Sequence, residues 1–409
     1  MMPLRLRSPR RAGGRLGSSK SALTVDRPVA PASGDRQVLQ RIRMLLVMAR
    51  PAVVVLLALF TATGMAEAGS ARRPLLLAAA LVPGAAFLLF SVVVNDLADE
   101  QIDRVNLPGH PARPLVTGMC GRSEFVAVGI TAGTIALLAS AMLHGPAMAI
   151  MLAGLALSAA YSLKPLRLAK RGIIASLVLP ACYVAVPYLL GVLAVRSAIR
   201  ATDLTLLCAL YVGFIGRILL KDFRDVRGDT LFGKRTFLVR HDRRPTCVVS
   251  AICWIGGSIL LSVVRGFTVV LGIALAVELG FVLVLLALLS TDRGARRDEW
   301  LVSAIAILGR GTIVMLLAHL SMLDAHWPGL AYALVLGSVV AITSAQAWTM
   351  LRFGPVSRAV VPPQWTLHER GLPVTSTLTH RYAVTDQQRS CESARASAGS
   401  VAGIRPGDI

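Results

Sequence analysis

From residue 44 onward, apolar runs long enough to cross a bilayer as helices alternate with short polar breaks. The runs fall at 44–63, 74–94, 124–143, 146–161, 173–195, 203–220, 246–264, 267–290, 301–322 and 330–351. The 146–161 run is short and begins at Pro146, which is able to break it. The pattern predicts an all-α fold: a polytopic membrane helical bundle of nine to ten transmembrane helices. Residues 1–43 are rich in Arg, Ser, Gly and Pro and read as a disordered basic N-terminal extension. A membrane domain is expected over 44–322, an additional helix within 323–351, and a disordered tail over 352–409.

Composition agrees with this pattern. The chain has 409 residues, 55% of them hydrophobic and only 16% charged, with a mean hydropathy of +0.65. Soluble domains carry about 25% charged residues, so an ordinary cytosolic enzyme is excluded, as is a chain disordered throughout. No short apolar stretch followed by a small-residue cleavage site opens the chain, so no cleaved signal peptide is expected. The six cysteines include no CxxC pair, and neither a zinc site nor a disulfide framework is read from them.

The net charge of +21 suggests nucleic acid until it is mapped. With ten spans and a cytoplasmic N-terminus, 36 of the 43 Lys and Arg fall in inside segments and five in outside segments. That asymmetry is the positive-inside signature. It orients the chain with both termini cytoplasmic, as a multi-pass protein of the cell membrane, and no nucleic-acid partner is needed to explain it.

Acidic residues are scarcer and more informative. Asn95, Asp99 and Asp103 follow the second run at i, i+4 and i+8; Asp222, Asp225 and Asp229 follow the sixth at i, i+3 and i+7. If the helices continue through these segments, each trio lines one face, while Asp96 and Glu100 point elsewhere. By the predicted topology both faces lie on the cytoplasmic side. Like-charged oxygens so close repel unless a cation sits between them. Mg²⁺ suits the set, because it takes oxygen ligands from one or two carboxylates plus substrate phosphates. Two such faces in opposition would hold a diphosphate and neutralise its charge as it leaves. Arg113 and the basic stretch from Tyr161 to Arg171, which includes Lys164, lie on the same side.

These residues carry a resemblance. Asn95-Asp96-x-x-Asp99-x-x-x-Asp103 with Arg113-Pro114-Leu115-x-x-Gly118 resembles the first signature of the UbiA-type intramembrane prenyltransferases. Lys221-Asp222-x-x-Asp225-x-x-x-Asp229 followed by Gly233-Lys234-Arg235-Thr236 is similar to the second. Tyr161-x-x-Lys164 and Arg50-Pro51 match two further elements, and the likeness covers residues 44–322. It implies a helical bundle, usually of nine spans, around a central cavity open to lipid. It implies Mg²⁺ held by Asn95, Asp99, Asp103, Asp222, Asp225 and Asp229, and a polyprenyl diphosphate whose departure leaves an allylic cation for a small acceptor, commonly aromatic. Arg50, Arg113, Tyr161 and Lys164 become the expected substrate-binding residues. The same fold is also used by terpene cyclases and by enzymes joining a phosphoribosyl donor to a polyprenyl phosphate. A transporter, the alternative of another class, should instead place its ionisable groups near the midplane.

Some residues are expected to have structural roles. Glu278 should hydrogen-bond a neighbouring helix, and Arg310 is left between snorkelling and a site role. Trp254, Trp300, Trp327 and Trp348 fall near span boundaries, as interface anchors do.

Overall fold

The structure, a computed structural model, describes residues 41–354 apart from positions 43, 49, 71, 72, 107–112, 232, 234 and 293. The expected N-terminal extension up to residue 40 and the tail from 355 lie outside the described residues. The chain divides into two units, 1–42 and 43–409. Only residues 41 and 42 of the first are described, and both are helical. The second unit holds everything that follows.

Among the described residues ten apolar helices succeed one another: α1 (Pro51–Glu67), α2 (Pro74–Asn106), α3 (Arg122–Ala141), α4 (Ala147–Ser162), α5 (Ile173–Val195), α6 (Ala201–Leu231), α7 (Arg243–Leu261), α8 (Val269–Leu289), α9 (Ala295–Leu323) and α10 (Gly329–Phe353). There is no strand among the described residues. Eight of the ten are long and apolar enough to cross a membrane, α10 among them; α1 and α4 are apolar but shorter, at 17 and 16 residues. Large apolar side chains such as Ile130, Leu138, Ile259 and Leu334 stay exposed on the bundle surface. That arrangement suits a protein whose outer solvent is lipid.

Prolines and glycines punctuate the bundle. Pro51 and Pro74 each open a helix, where the missing N–H costs nothing. The first predicted run, 44–63, is interrupted: residues 44–48 are helical, Arg50 takes a left-handed φ of 49°, and α1 starts afresh at Pro51. Inside α5, Pro180 cannot donate to the helical ladder, and the next turn, Ala181–Ala185, widens to π-helix.

Helix length positions the acidic segments. At about 1.5 Å per residue, the 33 residues of α2 and the 31 of α6 span roughly 50 and 46 Å. The hydrocarbon layer is only about 30 Å thick. Both helices therefore run on past their apolar portions, and the acidic residues lie on those continuations. Three helices separate α2 from α6, so the two run in the same direction and their acidic ends meet at one end of the bundle.

A close helix contact joins α1 to α5. A Cβ on Gly64 would stand 2.1 Å from the Tyr188 carbonyl oxygen, and one on Gly191 would stand 2.0 Å from that of Thr61. Small residues allow such an approach where lipid gives helices little hydrophobic reason to associate. Around this contact Phe60, Val184, Tyr188, Phe214 and Met315 form the largest buried cluster. Arg243 ties α7 to α9 with a two-pronged ion pair to Asp298 at 2.8 and 2.6 Å.

Glu278 meets its expectation, accepting hydrogen bonds from Thr312 at 2.8 Å and Thr343 at 3.0 Å. Trp254 departs from it. The ring is buried between α6, α7 and α9 rather than at an interface, with Gly216 and Gly309 leaving room on either side. Sequence distance to a span end does not reveal which face of a helix a tryptophan occupies.

Candidate active site

The helical continuation of α2 brings Asn95, Asp99 and Asp103 onto one face, and all three line a cavity of about 230 Å³. Arg50, Arg113, Tyr161 and Lys221 line the same space, contributed by four further segments of the chain. The deeper wall is apolar, formed by residues such as Leu57, Phe87, Leu88, Val92 and Leu179. The cavity is thus charged at one end and greasy at the other.

Ion pairs organise the charged end. Arg113 reaches Asp96 through Nη1 at 2.5 Å and Asp103 through Nε at 3.0 Å. Arg50 also reaches Asp96, at 2.7 Å. Asp96 does not line the cavity, but it stays beside the trio: Arg113 is shared between it and Asp103, and Asn95 donates to its carboxylate at 3.5 Å. Its burial between two arginines gives it a positioning role that the spacing alone does not assign. The left-handed backbone at Arg50 and the helical turn Pro114–Thr117 after Arg113 direct both guanidinium groups to this one carboxylate. Glu100, by contrast, pairs with Arg104 and Arg122 on the outer side.

Tyr161 ends α4 in the cavity wall, and its hydroxyl accepts from the Lys221 ammonium at 3.5 Å. Lys164 stands exposed and does not line the cavity. From the same basic stretch it is Arg167 that meets the site from behind the cavity lining, donating to the Asp99 carboxylate at 3.0 Å and the Ala98 carbonyl at 2.8 Å. The sequence signals a basic loop here but not which base turns inward. That depends on the left-handed turn at Arg167, with a φ of 37°.

The second acidic trio falls on α6, the helix that contributes Lys221 to the cavity lining. Asp222 is buried beside cavity-lining Lys221. Asp225 and Asp229 continue the same helix, but their side chains lie outside the described residues. Among the described residues no three His, Cys, Asp or Glu side chains converge as a ready-made metal cage. At its charged end the described part of the cavity offers oxygen donors from Asn95, Asp99 and Asp103; the cysteine in its lining, Cys182, lies on the π-turn of α5, away from the acidic continuation of α2. That donor chemistry fits a hard cation such as Mg²⁺ completed by ligand oxygens.

Comparison with known proteins identifies the family. The model of the UbiA prenyltransferase family matches residues 55–308. A bacteriochlorophyll synthase 34 kDa chain from Chloroflexus aurantiacus is 28% identical over 155 residues, 37% of this chain. The match spans about half of that relative, 48% of its length. The solved structure of a digeranylgeranylglyceryl phosphate synthase superposes with a TM-score of 0.54 at 17% identity, covering 68% of this chain and 98% of that one. A UbiA homologue from Archaeoglobus fulgidus, bound to DMAPP and Mg²⁺, has a TM-score of 0.46 at 15% identity, covering 76% of this chain and 99% of that one. The family match covers more than half of the chain and takes in both acidic helix ends and Arg113, while Arg50 precedes it. This multi-pass membrane protein belongs to the UbiA prenyltransferase family.

Proposed function

We propose that this chain transfers a prenyl group from a polyprenyl diphosphate to a small aromatic acceptor. The observation that carries this reading is the bipartite cavity, with arginines, a lysine and carboxylates at one end and apolar side chains at the other. An amphiphile with a polyanionic head and an isoprenoid tail matches both ends.

Asn95, Asp99 and Asp103 on α2, with Asp222, Asp225 and Asp229 on α6, would hold Mg²⁺, which when bound neutralises the diphosphate's negative charge. Arg50 and Arg113 are placed to donate to phosphate oxygens while Asp96 holds them in position. Lys221 and Arg167 supply further positive charge at the mouth. The carbon–oxygen bond to diphosphate breaks and the leaving group keeps the electron pair. The allylic cation is captured by the acceptor's π electrons, forming a carbon–carbon bond, and the acceptor ring then loses a proton. Apolar walls keep water from quenching the cation first.

The charge distribution supports a mouth and two termini on the cytoplasmic side of the cell membrane. We also assign the catalytic domain to residues 44–322 and α10 to an addition beyond it.

Purified protein with Mg²⁺ and prenyl diphosphates of several chain lengths is expected to release diphosphate and, given an acceptor, to yield a prenylated product by mass. Absence of release across the whole series overturns the reading. Asp96→Asn keeps the side chain's shape and removes its charge. It should weaken prenyl-diphosphate binding about 10–100-fold, the usual effect of removing a group that orients ligand contacts. Unchanged affinity in a direct binding titration would deny Asp96 its positioning role.

A further inference from the structure

A second cavity, of about 40 Å³, lies between α1, α6, α7 and α9. Its lining includes Phe60, Phe214, Arg217, Trp254, Ser258 and Thr312. Two donors in this lining are buried and lack a hydrogen-bond acceptor: Nη1 of Arg217 and the indole Nε1 of Trp254. Arg217 lies over the Phe214 ring at 5.4 Å, a contact that does not use its N–H groups. The charges acting on Arg217 are Arg310 and Arg224, both positive. Arg224 donates to Ser303 instead, at 2.7 Å. The nearby membrane carboxylate, Glu278, is taken by Thr312 and Thr343. Side chains on a helix lean toward its N-terminus, so Arg217 leans away from the acidic mouth rather than snorkelling to it. A cation inside a membrane protein without a counter-charge is costly, and its own unfilled N–H together with that of Trp254 asks for an acceptor.

We infer that Arg217 and Trp254 form a binding site for a carboxylate-class anion, set between α6, α7 and α9 beneath the positive field of Arg310. The volume suits a carboxylate end group or a similarly small anion, since one water needs about 10–15 Å³ on this measure. The site is distinct from the diphosphate mouth, though near it. Tyr183 lines the larger cavity and packs on Phe214 at 6.2 Å, and Phe214 in turn packs on Phe60 at 5.8 Å. The three rings form a partition between the two spaces. The anion is either the carboxylate of an acceptor substrate or a free small anion from solution. The first source rests on the transferase reading above; the second does not.

Full-length protein in lipid nanodiscs, titrated with sodium formate at an ionic strength held constant with the bulky, carboxylate-free salt sodium 2-(N-morpholino)ethanesulfonate, tests this through the melting temperature. Wild type is expected to be stabilised saturably, as a ligand of the folded state requires. Arg217→Gln should lose the shift, and because it removes an uncompensated buried charge it should melt no lower than wild type without formate. Trp254→Phe keeps a ring and removes one donor, and should bind formate about tenfold more weakly. It carries the test if Arg217→Gln fails to fold. Absence of a saturable shift in wild type, or the same shift in both variants, overturns the site. Benzoate binding at least tenfold more tightly than formate, with benzamide inert, assigns the anion to an acceptor. Equal or weaker binding assigns it to a free small anion, and either result upholds the site. Diphosphate release measured on the same samples reports on the transferase reading separately.

Discussion

Asp99→Ala is expected to reduce diphosphate release from a prenyl diphosphate by about 10³-fold or more, while leaving the protein folded. Asp99 lines the cavity and carries one of its few acidic oxygen donors. Its loss leaves Arg167 without a carboxylate partner, and the diphosphate without one of the groups proposed to hold its counter-ion. About 4 kcal/mol of transition-state stabilisation corresponds to this change, a typical size for one preorganised electrostatic contact. Asp225→Ala should behave alike. The check is steady-state diphosphate release at saturating Mg²⁺, with size-exclusion chromatography to confirm folding. Normal turnover in either variant would remove the two acidic faces from the chemistry. A loss of folding in both would make them structural.

Gly191→Ala should produce the largest effect on the fold itself. The added Cβ would fall 2.0 Å from the Thr61 carbonyl oxygen and 2.9 Å from its carbon. Both are backbone atoms in mid-helix, which no rotamer change moves aside. Overpacking a core costs 1–3 kcal/mol when side chains are able to adjust. Here α1 and α5 have to separate, so a loss of at least ~3 kcal/mol is expected. Gly64→Ala, whose Cβ would fall 2.1 Å from the Tyr188 oxygen, should act in the same way from the other side. Gly280→Ala is the control, because nothing lies within 4 Å of its Cβ position. It should be neutral or slightly stabilising through helix propensity. Melting temperatures in one detergent compare the three. A Gly191→Ala protein as stable as the Gly280→Ala protein would show that the close contact is not needed.

The expected fold was legible because bilayer and helix geometry leave few options. A long apolar run with no water to satisfy its backbone forms a helix, and all ten runs correspond to helices. The run 173–195 returns with the same bounds. Boundaries slipped where polar residues continue a helix beyond the membrane, as α2 and α6 do through their acidic segments. They also slipped where a proline resets the chain, as Pro51 does for the first run. The site was partly legible for a related reason. Helical spacing of i, i+4 and i+8 puts Asn95, Asp99 and Asp103 on one face, and that face lines the cavity.

What spacing does not carry is contact between residues far apart in sequence. Asp96 reads as an off-face acid and is instead held between Arg50 and Arg113, 46 and 17 positions away. Lys164 and Arg167 are equivalent bases in one loop until a left-handed backbone turns the second toward Asp99, 68 positions away. Trp254 reads as an interface anchor, yet it shares one cavity with Arg217 because α6, α7 and α9 pack together.

The sequence by itself determined which segments are helices, which face of α2 bears the acidic trio, and where positive charge gathers. Each of these is a local or periodic property, set within a few turns of one helix or by composition against lipid. The tertiary structure alone decided which arginines meet which carboxylates, how closely α1 approaches α5, and which buried donors are left unfilled. Those outcomes depend on helix rotation and crossing, and small residues and side-chain packing between distant segments fix them only once the bundle has assembled.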